Sequence, residues 1–234
     1  MAYRYELHCH TAEGSRCSEM PADQMAEFYN GLGYDGLFVT DHFSGNGPLP
    51  DDTPWRERVD YYYSIYETAR MYGEKIGIKI FFGLEYSNAA GVANFSRVAG
   101  NDFLFLNIAR RWLLDNRDAF EQRPSELFAQ VRRGGGFVSQ AHPFLEAAWV
   151  ESIRLYPRAV DAAETYNAKV PELANGSAKH YALSYGLFET AGSDCHSAGQ
   201  AVMCGLETDA PCRTAGDLIA AIRQKKTKAF TIVR

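Results

Sequence analysis

Short apolar runs recur along the chain, and stretches of helical periodicity lie between them. Residues 3–9 predict a first strand, after which Pro21 opens a helix to about residue 32, with Gly33 as its stop. Residues 36–40 are short and apolar enough for a buried strand, and a Gly/Pro-rich loop over 44–54 leads to a helix at about 56–76. Strands follow at 79–85 and 102–108, then a helix at 124–133 and a strand at 136–140. Residues 159–165 and 188–191 predict strands around a helix at about 171–185; a helix at 214–224 and a strand at 229–233 end the pattern.

Strand, loop and helix thus repeat about seven times, which implies parallel strands joined by helical crossovers. No low-complexity stretch interrupts them, so a single domain over 1–234 is expected. An open doubly wound sheet gathers its site at one switch point, whereas a barrel brings all its strand ends to one mouth. No glycine-rich nucleotide loop favours the open sheet. The expectation is therefore an α/β fold, a distorted TIM-like barrel.

What decides between those architectures is where the chemistry lies. Five of six histidines end strand-like runs: Glu6-Leu7-His8-Cys9-His10, Thr40-Asp41-His42, Gln140-Ala141-His142-Pro143 and Ser193-Asp194-Cys195-His196. Gly83-Leu84-Glu85 ends another run with a lone carboxylate. Imidazole and carboxylate are the usual ligands of zinc, iron and manganese. His8 and His10, two apart on a strand, face one way and can grip one ion. Asp194 and His196 repeat that spacing from another strand. Glu85 is the residue able to bridge two cations, since imidazole cannot. Asp41 is expected behind His42, holding an imidazole or a water in place. His180, mid-helix, reads as a surface or packing residue.

These four segments, in order and spacing, resemble the motifs of the polymerase and histidinol phosphatase (PHP) superfamily. Gly83-Leu84-Glu85 and Ala163-Glu164-Thr165-Tyr166-Asn167 also look like its members, so the resemblance covers about residues 3–200. It implies a distorted barrel of seven strand–helix units and metal-dependent hydrolysis of phosphate esters. It further implies that His8, His10, Glu85 and Asp194 hold one ion, that Glu85 and His142 share a second, and that His42 and His196 serve a third. Two departures stand out. Where members with a complete third site often carry a histidine, this chain has Arg16, which cannot bind metal but can meet a phosphate oxygen. Glu13 and Cys17 in the same loop are weaker ligand candidates. A second expected histidine is missing between His42 and His142; Asp102, opening its strand, is the replacement expected here.

Two or three divalent ions (zinc, manganese or iron) are therefore expected, with a small phosphate ester, monoester or nucleotide-type diester, as substrate. The expected chemistry is in-line attack by a metal-activated hydroxide, with Asp194 or His196 positioning water or protonating the leaving group. The rival readings are an amidohydrolase acting on a C–N bond, for which no lysine is read at the appropriate strand ends, and a non-enzymatic metal-binding domain with a decayed site. A net charge of −5 argues against tight binding of long nucleic acid, leaving nucleotides or short oligonucleotides. No signal peptide and no membrane-spanning run are read. Cys9, Cys17, Cys195, Cys204 and Cys212 show no disulfide spacing, which points to reduced thiols and a cytoplasmic setting. Strand alternation turns Cys9 and Cys195 away from the metals and into the core.

Overall fold

The computed structural model describes residues 2–87 and 101–234. The first half runs β1 (Tyr3–Glu6), α1 (Ala22–Gly31), β2 (Gly36–Val39), α2 (Trp55–Ile76), β3 (Lys79–Ser87) and β4 (Asp102–Leu106). Then come α3 (Arg110–Asp115), a 3-10 turn at Arg117–Glu121, α4 (Pro124–Arg133) and β5 (Phe137–Gln140). The order ends with β6 (Ala162–Asn167), α5 (Glu172–Tyr185), β7 (Phe188–Gly192), β8 (Val202–Thr208), α6 (Ala215–Arg223) and β9 (Thr227–Val233).

The helices start and stop where local chemistry dictates. Pro21, Pro54 and Pro171 stand just ahead of α1, α2 and α5, where their missing N–H costs nothing. Gly77 ends α2 at φ 91°, a left-handed cap that only glycine takes freely. Thr214 and Asp217 close a reciprocal capping box on α6.

The nine strands among the described residues form one sheet in the order β7-β6-β5-β4-β3-β2-β1-β8-β9. β1, β2 and β3 are parallel, as are β5, β6 and β7, while β4 lies antiparallel between the two groups. Beyond its last laddered residue the β7 chain reaches β1 again. Asp194 N–H donates to the His8 carbonyl at 2.8 Å, His10 N–H to the Cys195 carbonyl at 3.1 Å, and Cys9 bridges Cys195. This contact nearly closes β1 to β7 into the expected distorted barrel, leaving β8 and β9 as an antiparallel pair on the edge of β1. Gly192 permits the closure, because a Cβ there would overlap the Cβ of His8 and sit 2.8 Å from Glu164 Oε1.

Three expectations change. The strand at 102 is reversed rather than parallel, pairing antiparallel with both β3 and β5. The strand expected from 159 begins at Ala162, because Tyr156 and Val160 close a turn first. β8 was not foreseen: Gly205 interrupts its apolar pattern, yet a Cβ there would overlap the Tyr5 carbonyl, so glycine is what lets β8 pair with β1.

Alternation along the strands makes two apolar layers. Leu37, Val39, Ile80, Phe82, Leu84 and Phe105 pack outward among residues of α1, α2 and α4. Tyr5, Phe38, Phe81, Leu106 and Phe137 pack inward against Leu218, Ile219 and Ile222 of α6, which plugs one end of the barrel. Burying three such side chains contributes about 5–9 kcal/mol to holding that plug. Polar groups gather at the other end. Cys9 and Cys195 are fully buried, as alternation predicts.

Candidate metal centre

Seven segments deliver polar side chains to the open end. His8 and His10 follow β1, Asp41 and His42 follow β2, Glu85 lies in the last turn of β3, His142 follows β5, and Asp194 and His196 follow β7. Asp102 is the first residue of its strand, and the reversal of β4 is what carries a strand start to the mouth where the others are strand ends. Glu164 arrives from β6.

The side chains converge in four overlapping groups whose donor atoms lie within 4.8 Å of one another: His8 with His10 and Glu85, His8 with His142 and Asp194, Glu85 with Asp102 and His142, and His10 with His42 and His196. Glu85 is the hub. Its Oε1 is 3.3 Å from His8 Nε2 and 3.4 Å from His142 Nε2, and its Oε2 is 3.6 Å from His10 Nε2 and 2.7 Å from His42 Nδ1. Asp194 Oδ1 lies 3.3 Å from His10 Nε2 and 3.7 Å from His8 Nε2. Asp102 Oδ2 is 3.9 Å from His142 Nε2, and its other oxygen accepts from Ser87 Oγ.

These atoms are close but not aligned for hydrogen bonds. Both oxygens of Glu85 and His8 Nε2, His10 Nε2 and His42 Nδ1 are buried without a hydrogen-bond partner. Unsatisfied buried polar atoms cost about 1–3 kcal/mol each, and native proteins carry few. Five of them pointing at common points fit divalent cations, whose preferred nitrogen and oxygen donors these are.

A layer behind them fixes which imidazole nitrogen faces inward. Glu164 Oε1 is 3.1 Å from His8 Nδ1, and Glu164 Oε2 accepts from the His142 backbone N–H and from Asn167 Nδ2 at 2.9 Å each. A carboxylate accepts only, so His8 carries a proton on Nδ1, which leaves Nε2 as the nitrogen that would meet a cation. Ser15 Oγ donates to Asp41 Oδ1 at 2.8 Å, accepts from His42 N–H and lies 3.1 Å from His10 Nδ1. His10 therefore donates through Nδ1 and also turns a bare Nε2 inward. Asp41, which also accepts from Thr11 N–H and Oγ1, acts on His10 through Ser15 rather than on His42 directly. Two donor residues adopt left-handed backbone, His142 at φ 25° and Asp194 at φ 51°. Such conformations cost about 1–3 kcal/mol and persist where the surroundings hold them.

The charges follow from this packing. Burial opposes ionisation of Glu85, but His42 and His8 outweigh it and hold the carboxyl well below its usual range. Asp194 is likewise held low, with His8 and His10 overcoming burial. For His8, burial is outweighed by Glu164, Asp194 and Glu85, and its value rises well above normal. His142 is pushed up to about 9 against burial by Glu85 and Asp102. His10 falls well below normal, through burial and then the repulsion of His42 and His196.

The remaining sequence candidates divide. Arg16 sits on the rim, with its backbone N–H on the Asn46 carbonyl and Nη2 on the Pro48 carbonyl at 3.3 Å. Glu13 leaves the site: its carboxylate caps α1 through Ala22 N–H at 3.1 Å. His180 is exposed on α5, away from the cluster. Sequence reasoning gave no role to Glu164, although it noted its segment, and it missed Ser15 and Lys169. Lys169 follows β6 at the mouth, with Nζ 2.9 Å from His196 Nδ1. The expectation that no lysine stands at such a strand end is thereby corrected; nothing in the strand pattern marked it, because it lies past the end of β6, with Ala168 between.

The nearly closed barrel is shared with several solved structures. Residues 172–227 match the family described as PHP-associated. The chain is similar in fold to a two-domain Bacteroides vulgatus protein containing a predicted PHP-like metal-dependent phosphoesterase, with a TM-score of 0.69 and 15% identity over 98% of this chain and 65% of that one. It is similar to a Chromobacterium violaceum amidohydrolase with bound sulfate (TM-score 0.59, 12% identity, 96% and 97% covered). A third similar structure is the lesion-specific endonuclease EndoQ of Pyrococcus furiosus (0.61, 15%, 98% and 58%). The chain thus spans less than two thirds of the length of the first and last of these proteins. No curated protein matches it in sequence. The family match covers residues 172–227 alone, and the three likenesses show a shared fold.

Proposed function

We propose that this chain is a metal-dependent hydrolase of small phosphate esters. The observation that carries the reading is Glu85, a fully buried carboxylate with both oxygens free of hydrogen bonds and imidazole nitrogens of four histidines around it. His8, His10, Glu85 and Asp194 would hold one ion, Glu85, Asp102 and His142 a second, and His42 and His196 would serve a third. Bound there, two or three ions of zinc, manganese or iron supply water that is deprotonated near neutrality and neutralise the charge of a phosphoryl group.

The chain's own residues do the rest. Glu164 and Ser15 keep two imidazoles in the tautomer that leaves Nε2 bare. Asp194, ionised and on the rim of the cluster, would orient the attacking water. His196, partly exposed, stands where a leaving oxygen would take up a proton. Arg16 and Lys169 flank the mouth as cations for the nonbridging oxygens of the substrate. The amidohydrolase reading is weaker here, because the bridging place is filled by Glu85 while Lys169 stands exposed at the rim. The B. vulgatus and P. furiosus likenesses favour phosphorus chemistry, in keeping with the motifs. Among the described residues, no helix is long and apolar enough to cross a membrane.

The test is hydrolysis across a panel of phosphomonoesters, nucleotide phosphodiesters and N-acyl amides, by protein loaded in turn with zinc, manganese and iron. Turnover of phosphate esters that chelator abolishes and metal restores is the expected result. Turnover of amides alone would transfer the chain to the rival class, and turnover of nothing under any metal would remove the enzymatic reading.

A further inference from the structure

β6 ends in Asn167, a fully buried amide that touches the donor cluster from behind. Its Nδ2 donates to Glu164 Oε2 at 2.9 Å and to Asp194 Oδ2 at 3.4 Å, and its Oδ1 accepts from Lys169 N–H at 2.9 Å. These partners fix which way the amide faces. Turned over, it would set its oxygen against two carboxylates and its nitrogen against an N–H. The backbone of Asn167 is held in turn by Asn175, a buried residue of α5. Asn175 Oδ1 accepts from Asn167 N–H at 2.9 Å, and Asn175 Nδ2 donates to the Asn167 carbonyl at 3.0 Å. A chain of hydrogen bonds therefore runs from α5 through Asn175 and Asn167 to Asp194.

We infer that Asn167 is a positioning residue for the metal centre: its amide holds back one oxygen of Asp194, so that Oδ1 alone is offered to a cation. The inference rests on the metal-centre reading and adds to it the group that aims this ligand. Asp194 Oδ1 faces the other donors, 3.3 Å from His10 Nε2 and 3.7 Å from His8 Nε2. Its Oδ2 has one hydrogen-bond donor among the described residues, and that donor is Asn167. Glu164 is less dependent, because His8 Nδ1 and the His142 backbone N–H also hold it. Asp194 and Glu164 are two buried carboxylates near enough to share one amide, and like charges repel strongly away from water. A neutral NH2 group, with a hydrogen for each, is suited to stand between them. An unheld carboxylate can swing to give both oxygens or neither; held at Oδ2, it gives one oxygen at a fixed place. The third contact of Asn167, on Lys169 N–H, ties the same amide to the turn that carries Lys169 to the mouth.

Cobalt(II) reports its ligand geometry through visible absorption, and its affinity is read by competition with a chelator. Metal-free full-length protein is titrated as wild type, Asn167→Ala, Asp194→Ala and the double variant, with a urea midpoint for each. Asn167→Ala should weaken cobalt binding by about 10- to 100-fold and change the visible spectrum. In the Asp194→Ala background the same change should cost no more than about twofold, because no carboxylate is left for the amide to hold. A residue that merely supported the turn would lower the urea midpoint and either leave cobalt binding alone or weaken it equally in both backgrounds. Either of those results would overturn the inference and leave the metal centre standing. Should Asn167→Ala fail to fold, Asn175→Ala decides, since it loosens Asn167 and touches none of the donors. Weaker cobalt binding is then expected, and binding equal to wild type would overturn the inference. No cobalt uptake at all by the wild type would overturn the metal-centre reading itself.

Discussion

Glu85 could not be replaced by a neutral isostere without consequence. Its carboxylate is held ionised, against full burial, by the imidazoles of His42 and His8. Glu85→Gln keeps the shape and removes the charge. Hydrolysis should fall by about a thousandfold or more, and metal stoichiometry should drop, with thermal unfolding still cooperative; unchanged turnover would refute the bridging role. Glu164→Gln tests the layer behind. Its amide can turn an N–H toward His8 and favour the opposite tautomer, so affinity for the first ion should fall by about 10- to 100-fold in a competitive chelator titration. Arg16→Ala should lower kcat/KM by about ten- to a thousandfold with metal content unchanged, the range of a lost charge-assisted contact. Unaltered kinetics would mean that its contact with Pro48 is its whole role. At this scale the sequence was legible where a ligand type ends an apolar run, as at His8, His42, His142 and Asp194. Ser15, Glu164 and Lys169 were opaque, since each acts through a partner at least five residues away that no local pattern encodes.

Between elements, the closure of β7 on β1 and the reversal of β4 do most to shape the site. Periodicity placed most of the strands and helices to within a few residues, because apolar alternation and Pro/Gly punctuation are local. It did not give strand direction: a run such as Phe103-Leu104-Phe105-Leu106 is equally buried read either way. Asp102 was therefore named from the family pattern, and the reversed strand supplies the reason it can reach His142. Closure rests on Gly192. Gly192→Ala forces a methyl group against His8 and Glu164, so it should destabilise the protein by about 1–3 kcal/mol. It should also weaken metal binding, because the same shift displaces a donor. A urea midpoint and metal affinity both equal to wild type would show that the sheet relaxes freely there.

Over the whole molecule, the cluster of buried charges makes stability depend on pH when metal is absent. Glu6, pushed up by burial from an ordinary value of 4.5 to about 7, favours the folded state below pH 4.5, and that contribution is lost as pH rises through 7. His142, raised from 6.5 to about 9, contributes fully below pH 6.5 and loses its contribution as pH rises through 9. Glu85 and Asp194, both held low, act in the opposite sense and lose theirs only as acid titrates them. Chelator-treated protein should therefore have a lower urea midpoint at about pH 9 than at about pH 6. Metal should narrow that gap, because His142 then no longer holds a proton to lose. A midpoint that rises with pH in the metal-free protein would contradict the charge arrangement.

Everything above depends on cations occupying the space around Glu85. Elemental analysis of protein purified without chelator, followed by titration of the metal-free form with zinc, manganese and iron, measures that directly. At least one tightly held transition ion per chain as purified, rising to about two or three on titration and falling in Glu85→Gln, is the result this account predicts. A protein that emerges metal-free and takes up none of the three ions would contradict it.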